Sequence, residues 1–361
     1  MERWAVWRLE RAVRRLADAE SAPPDVAAAQ SAARLALLGA CAAGFVASGA
    51  IAALEIVNLP GGYSWPPENL AGMATVGAAL VGFTGLELWV LFRLGLWASA
   101  KLVLALAGPA TARRHPANYA LCRAVLEIPE PDLRPFELDP AKHLRCERQL
   151  LLLIGYRLKI AGSNFIAKML LRRFLTRAGL RGYAPLVAAP ITGMWALWVM
   201  RKVLREVRFR LMGRLAAAML ADWAEGLADT RPEWRRALLL LIGNRITLFG
   251  EYNLNLDALL TRLHGRFGAA DEGVDGLDDW PAFLATFRAL HGQAQARLRR
   301  VAVLVFAFKR PRLSRLERAR LAELGLSEAA VAARKDRFAA LDTGYLEDGG
   351  WLTEAPDGDR P

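Results

Sequence analysis

The chain has 361 residues, of which 54% are hydrophobic, and its 48 Lys and Arg exceed its 36 Asp and Glu to give a formal net charge of +12. This length and hydrophobic content suffice for a membrane hairpin together with one or two helical domains. Cys41, Cys122 and Cys146 are too few and too scattered for a disulfide framework or a CxxC metal site. The positive charge concentrates in residues 141–340, which hold 35 Lys and Arg against 17 Asp and Glu.

Residues 1–30 are predicted to form an amphipathic N-terminal helix. Its apolar positions recur three and four residues apart, at Val6, Leu9, Val13 and Leu16, with arginines between them. Trp4 and Trp7 beside this stripe favour a helix at a membrane interface. Packing on a cytoplasmic domain would produce the same pattern, so both interpretations stay open here.

Residues 31–110 are predicted to contain a transmembrane hairpin followed by an apolar helix at 94–106. Uncharged runs of 20 and 18 residues, 35–54 and 69–86, match the length that a helix needs to cross a bilayer. The connector 55–68 lacks Lys and Arg, is rich in Pro and Gly, and contains the interfacial residue types Tyr and Trp. The alternative is a pair of buried helices in a large soluble core.

Basic residues lie before the first span and after the second span, and none lies in the connector between them. The positive-inside rule therefore predicts a multi-pass protein of the bacterial inner membrane with both termini in the cytoplasm. Glu55 and Glu87 adjoin the apolar cores and are the candidate intramembrane ionisable residues. Such residues suggest a polar transport route, although interfacial or structurally paired carboxylates would look the same.

A Pro-rich linker is predicted at residues 111–141, and an all-helical cytoplasmic domain at 142–341. Within that domain residues 183–200 carry no charge but include two prolines. A single crossing there would leave one of two basic clusters outside, so a re-entrant or buried apolar segment is favoured over a third span. The clusters are Arg172, Arg173, Arg177 and Arg181 before the segment, and Arg201, Lys202, Arg205 and Arg208 after it.

These clusters are expected to face anionic lipid, each cation contributing about 1 kcal/mol. An acidic membrane or cytoplasmic protein is the other partner left open. No nucleic-acid motif accompanies the basic residues, so we expect no specific nucleic-acid binding.

Helical periodicity continues to the C-terminal region. The predicted helices are 201–227, 234–249, 254–267, 281–308, 314–324 and 327–341, followed by a disordered acidic tail at 342–361. Together with the hairpin, these elements predict an all-α fold.

No catalytic, metal or phosphate-binding motif occurs. The four histidines fit no metal-ligand spacing, and neither a P-loop nor a GxSxG elbow is present. We therefore predict a non-enzymatic protein without a cofactor, while an enzyme with a dispersed active site remains the alternative.

Two segments resemble bacterial families. Residues 300–339 resemble TerB-like tellurite-resistance modules. The residues that carry the resemblance are Leu313-Ser314, Glu317, Leu321 and Leu326-Ser327-Glu328. The helices of such a module would occupy about 234–341. The family's acidic turn is replaced by Lys309-Arg310-Pro311-Arg312, so only the helical fold carries over. Residues 165–210 resemble the EcsC-type segment of bacterial membrane-associated proteins. The resemblances imply a stress-associated scaffold or interaction protein anchored in the membrane.

Overall fold

The computed structural model describes residues 2–19, 26–59, 69–112, 122, 135–139, 142–143, 184–226, 232–249, 252–267, 276–308 and 313–353. Within these ranges every regular element is a helix, which confirms the all-α prediction. The chain divides into two compact units. The first comprises residues 1–113, 124–127 and 146–204, and the second comprises residues 114–123, 128–145 and 205–361.

Two long apolar helices form the hairpin of the first unit. Helix α2 spans Val26–Asn58 and α3 spans Leu70–Ala112. The helices run antiparallel, since Gly39 faces Leu94 near the middle of both helices and Gly72 faces Asn58 near the connector. The segment 94–106, predicted as a separate helix, is the continuation of α3, because no proline precedes Pro109 to interrupt it. The connector 60–68 lies outside the described residues.

Helix α1, Glu2–Ala19, packs on α3. Its stripe of Val6, Leu9 and Val13 is buried, whereas Trp4 and Trp7 remain exposed. The Trp4 ring stacks on Phe92 of α3 with the ring centroids 5.4 Å apart. The predicted amphipathic helix is therefore present, and its apolar stripe covers the hairpin.

Helix α4 spans Ala184–Gly226 and contains Pro190. The predicted apolar segment 183–200 thus lies at the start of a long helix. Residues up to 204 of this helix belong to the first unit, and the remainder belongs to the second. The basic and apolar residues of 146–183, including Arg172, Arg173, Arg177 and Arg181, lie outside the described residues, as do 113–121 and 123–134 of the predicted linker.

The second unit is built from shorter helices that follow the predicted boundaries closely. They are α5 Pro232–Phe249, α6 Leu254–Phe267, α7 Trp280–Ala289, α8 Gly292–Ala307, α9 Arg315–Glu323, α10 Glu328–Ala340, α11 Thr343–Glu347 and α12 Gly350–Thr353. Helix α5 packs against α6, α7 and α8, and α8 also packs against α10 and α12.

The core of the second unit centres on α5 and α8. Every residue from Ala237 to Leu248 and from Val301 to Phe308 is buried. A helix that is buried on all sides must be surrounded by other elements, so these two segments are central rather than peripheral.

Two boundaries differ from the sequence prediction. The single helix predicted at 281–308 is divided at Leu290, which is extended, and the His291 side chain caps the start of α8. Ordered structure also continues past Asp342, where a disordered tail was predicted. Leu346 and Trp351 are buried there, so these two side chains hold two short helices in place.

Candidate functional site

Large apolar side chains are exposed on the first unit alone among the described residues. Every strongly exposed large apolar residue lies on α1, α2, α3 or the first part of α4. They are Trp4, Trp7, Leu35, Leu38, Phe45, Val46, Ile56, Val57, Leu70, Val81, Leu86, Leu88, Trp89, Ile191, Met194 and Trp198. A soluble surface rarely carries a contiguous patch of this kind, so the first unit presents a candidate interaction surface.

With the exception of Ile51, the buried residues of α2 are Ala and Gly, and most of its large apolar residues are exposed. Its buried residues are Ala29, Ala32, Ala33, Ala36, Ala40, Gly44, Ala47, Ile51 and Ala52. Leu38 and Val46, by contrast, are both 64% exposed. In water the larger apolar side chains would be the ones to bury, because they release more apolar area. Close packing through Ala and Gly with large apolar residues outside is the arrangement of helices in lipid.

Two helices of the described residues are long and apolar enough to cross a membrane, namely 26–58 and 70–106. In the most apolar 18-residue stretch of each helix, 33% and 22% of the residues are buried, so most residues of each stretch are at least partly exposed. The exposed apolar residues of α2 run from Leu35 to Val57, about 33 Å at 1.5 Å per residue. Those of α3 run from Leu70 to Trp89, about 28 Å by the same rise. Both lengths match the hydrocarbon core of roughly 30 Å.

Exposed tryptophans occur on three helices, and each has the cationic side chain of the residue four positions later over its ring. The pairs, with the distance from the cationic centre to the ring centroid, are Trp4 with Arg8 at 5.1 Å, Trp7 with Arg11 at 5.1 Å, Trp89 with Arg93 at 5.3 Å, and Trp198 with Lys202 at 5.7 Å. A spacing of four residues places both side chains on one helical face. Tryptophan rings and long cationic chains are the side chains that settle at the boundary between lipid and water.

Comparison of the chain with known protein families, with curated proteins and with solved structures finds no match.

A cleft of about 440 Å³ lies in the second unit at the start of α7 and the loop before it. Two cations that line it, Lys142 and Arg320, have carboxylate partners. The Lys142 ammonium binds the Asp278 carboxylate, and Arg320 lies 3.2 Å from a Glu323 oxygen and 4.8 Å from the Trp280 ring centroid.

His143 also lines this cleft. Partial burial lowers the pKa of the imidazole, the positive charges of Lys142 and Arg320 lower it further, and Asp278 opposes them. The ring is therefore neutral at pH 7. Among the described residues no cluster of three His, Cys, Asp or Glu side chains is arranged to hold a metal ion.

The two predicted intramembrane carboxylates are not brought together. Glu87 is 3% exposed and Glu55 is half-buried. The contact of Gly39 with Leu94 sets the register of the antiparallel helices. In that register Glu87 lies opposite position 46 of α2, about 13 Å along the axis from Glu55 at 1.5 Å per residue.

The described members of the second basic cluster lie on α4. Arg201 and Lys202 are exposed at the end of the part that belongs to the first unit. Arg205 is exposed and Arg208 half-buried in the part that belongs to the second unit.

The pairing of tryptophan with a following cation was not predicted from the sequence. The signal is present there, since Trp followed four residues later by Arg or Lys occurs at Trp4, Trp7, Trp89, Trp198 and the half-buried Trp97. The repeat becomes visible only when the ends of separate helices are compared with one another.

Proposed function

We propose that the protein is a non-enzymatic scaffold of the bacterial inner membrane, anchored by the hairpin of α2 and α3. One observation carries the proposal: α2 buries alanine and glycine and exposes leucine, phenylalanine and valine. A bilayer removes the free-energy cost of that exposure, which water would impose at about 25 cal/mol for each Å² of apolar surface.

The tryptophan–cation pairs support an orientation for the anchor. Arg93 follows the exposed apolar stretch of α3, and Arg8 and Arg11 lie on the helix that packs beside it. The connector at the other end of the hairpin lacks Lys and Arg. The positive-inside rule then puts the pairs at the cytoplasmic surface. Anionic lipid headgroups are the partner that suits cations held at this level.

The scaffold role rests on the TerB-like resemblance, which implies helical modules over about 234–341, and the helices of the second unit are compatible with it. An association with stress responses rests on that resemblance. The basic residues Arg201, Lys202 and Arg205 are exposed, and their proposed partner is anionic lipid or an acidic protein.

Cysteine accessibility tests the anchor and its orientation. Single cysteines replace Ser64 in the connector, Thr111 after the hairpin and Ser314 before α9. A membrane-impermeant maleimide is applied to intact spheroplasts and to lysed membranes. We expect Ser64→Cys to react in intact spheroplasts, and Thr111→Cys and Ser314→Cys to react only after lysis.

The same labels distinguish the alternatives. Protection of all three cysteines until lysis, with recovery of the protein in the soluble fraction, would refute the anchor. Reaction of Ser314→Cys from outside would instead reverse the proposed orientation.

Transport is a second candidate function, favoured by the burial of Glu87 within a long apolar helix. Its separation from Glu55 weighs against a polar route that uses both carboxylates. Ion flux into proteoliposomes that is lost in Glu87→Gln and retained in a Thr111→Ala control would support transport. Equal flux in the two variants and in protein-free liposomes would exclude it.

A further inference from the structure

The start of α4 approaches α2 as closely as two helices can. A Cβ atom added at Gly44 would lie 2.8 Å from the Thr192 carbonyl oxygen and 2.9 Å from the Ala196 Cβ. A Cβ atom at Gly193 would lie 3.0 Å from the Cys41 carbonyl oxygen. This pair of glycines forms a seam at which the two backbones are in direct contact, as in small-residue contacts between membrane helices.

A hydrogen bond crosses the same seam. The buried Thr192 hydroxyl lies 3.2 Å from the Gly44 carbonyl oxygen and 2.9 Å from the Ala189 carbonyl oxygen of its own helix. A threonine that bonds its own helix and also reaches a neighbour is a polar contact that membrane helices use between apolar surfaces.

Further along α4 the contact with the hairpin continues. Ala196, Met200 and Leu204 belong to one buried cluster with residues of α2 and α3. The α2 and α3 members are Ala33, Ala36, Ala40, Leu91 and Ala98. The segment therefore packs on the hairpin over about 17 Å, from Gly193 to Leu204 at 1.5 Å per residue.

The opposite face of the segment is apolar and exposed. Met194 is 69% exposed and Trp198 is 52% exposed. Phe45 of α2, itself an exposed residue, has its Cβ 3.4 Å from the added Cβ position at Gly193. The exposed apolar surface of α4 is thus continuous with that of α2.

We propose that residues 184–200 of α4 enter the bilayer as a third lipid-facing helix beside the hairpin. The inference rests on the proposed membrane anchor. Gly193 lies at the level of residues 41–44 of α2. Ala184 precedes Gly193 by nine residues, on the side away from Lys202. It therefore lies about 13 Å farther along the helix axis, at 1.5 Å per residue, toward the interior of the bilayer. The segment extends into the apolar band, and the Trp198–Lys202 pair lies toward its cytoplasmic end.

This assignment answers the question that the sequence left open for 183–200. A segment buried in a cytoplasmic core would hide Met194 and Trp198 behind other helices. A lipid-facing segment exposes them while it hides Gly193 and Ala196, which is the arrangement observed.

Spin labelling tests the inference on the full chain. Cys41, Cys122 and Cys146 are replaced by alanine, and a nitroxide is attached at Met194→Cys in phosphatidylethanolamine–phosphatidylglycerol liposomes. Val46→Cys on α2 is the matched control for lipid exposure, and Ala329→Cys, exposed on α10, is the control for water. Collision rates with oxygen and with a water-soluble nickel complex are measured for each label.

We expect the ratio of oxygen to nickel collisions at Met194→Cys to match that at Val46→Cys and to exceed that at Ala329→Cys several-fold. A ratio at Met194→Cys that equals the Ala329→Cys value, with Val46→Cys in lipid, would overturn the third helix and leave the anchor intact. Water-like ratios at both Met194→Cys and Val46→Cys would overturn the anchor itself.

Discussion

The Arg245 guanidinium donates to the Glu317 carboxylate at 2.8 Å, and both side chains are fully buried in the second unit. The same carboxylate accepts the backbone N–H of Ser314 at 2.6 Å, while the Ser314 hydroxyl accepts the N–H of Glu317. One glutamate therefore completes the capping box of α9 and fixes α9 to α5. The Phe306 ring, 4.7 Å from the guanidinium carbon, covers the pair.

Burial lowers the pKa of Arg245, and Glu317 opposes that shift through its charge and its hydrogen bond. Arginine nevertheless stays charged at neutral pH. The pair is thus two buried charges whose desolvation is compensated only while both are present.

Removing one partner is therefore expected to destabilise the protein strongly. Arg245→Met leaves the Glu317 carboxylate without its guanidinium partner, and the expected loss is about 3–5 kcal/mol of unfolding free energy. Glu317→Gln should cost a similar amount while it preserves the capping box, which accepts Gln. Urea-dependent proteolysis of the full chain in detergent measures both losses.

The double variant Arg245→Met/Glu317→Gln is the control for this interpretation. It removes both charges, so it should be more stable than either single variant. A double variant whose loss equals the sum of the single losses would show that the two residues do not act as a pair.

The glycine seam of the first unit gives a second prediction, with a control in the same helix. An added Cβ at Gly44 would meet the Thr192 carbonyl oxygen at 2.8 Å, whereas one at Gly49 would meet no atom within 4 Å. Gly44→Ala should therefore destabilise the protein by about 1–3 kcal/mol through overpacking. Gly49→Ala should stabilise it by up to about 1 kcal/mol, because alanine favours helix.

The difference in unfolding free energy between the two glycine variants is measured by unfolding them with sodium dodecyl sulfate while tryptophan fluorescence is monitored. Equal stability of Gly44→Ala and Gly49→Ala would contradict the close approach of α2 and α4.

The imidazole of His143 gives a third prediction. Lys142 and Arg320 lower its pKa by their positive charge, after the effect of burial. Lys142→Met and Arg320→Met should each raise that pKa toward the ordinary value, and Asp278→Asn should lower it further. Titration of histidine ring protons by NMR, assigned with His143→Gln, measures the three shifts.

The lowered pKa of His143 also determines how its contribution to the unfolding free energy changes with pH. A lowered pKa means that the unfolded chain binds more protons than the folded chain below about pH 6.5. The contribution of His143 to stability is therefore complete above that pH and is lost as pH falls through the folded-state pKa. A lower pKa in Lys142→Met than in the unchanged protein would contradict the assignment.

Sequence patterns predicted the helices well because their start and stop signals are local. Ser327 caps α10, and Gly325 before it has the left-handed φ of 71° that glycine tolerates. The break at Leu290 and the order at Trp351 were missed because tertiary packing decides them. The hairpin was predicted from its length and composition, whereas the Gly44–Gly193 seam joins residues about 150 positions apart and has no local signal.

The tryptophan–cation pairs lead to the last prediction, which concerns lipid composition. Arg11 and Arg93 lie over exposed tryptophans at the level where headgroups are proposed, so each should attract anionic lipid by about 1 kcal/mol. The double variant Arg11→Gln/Arg93→Gln should copurify with less phosphatidylglycerol relative to phosphatidylethanolamine than the unchanged protein, as measured by mass spectrometry of nanodisc lipids. Arg288→Gln/Arg297→Gln, which removes two exposed arginines of the second unit, is the matched control and should leave the ratio unchanged. Because both variants lose the same net charge, an equal fall in the two would mean that overall charge attracts the lipid and that the pairs have no special role.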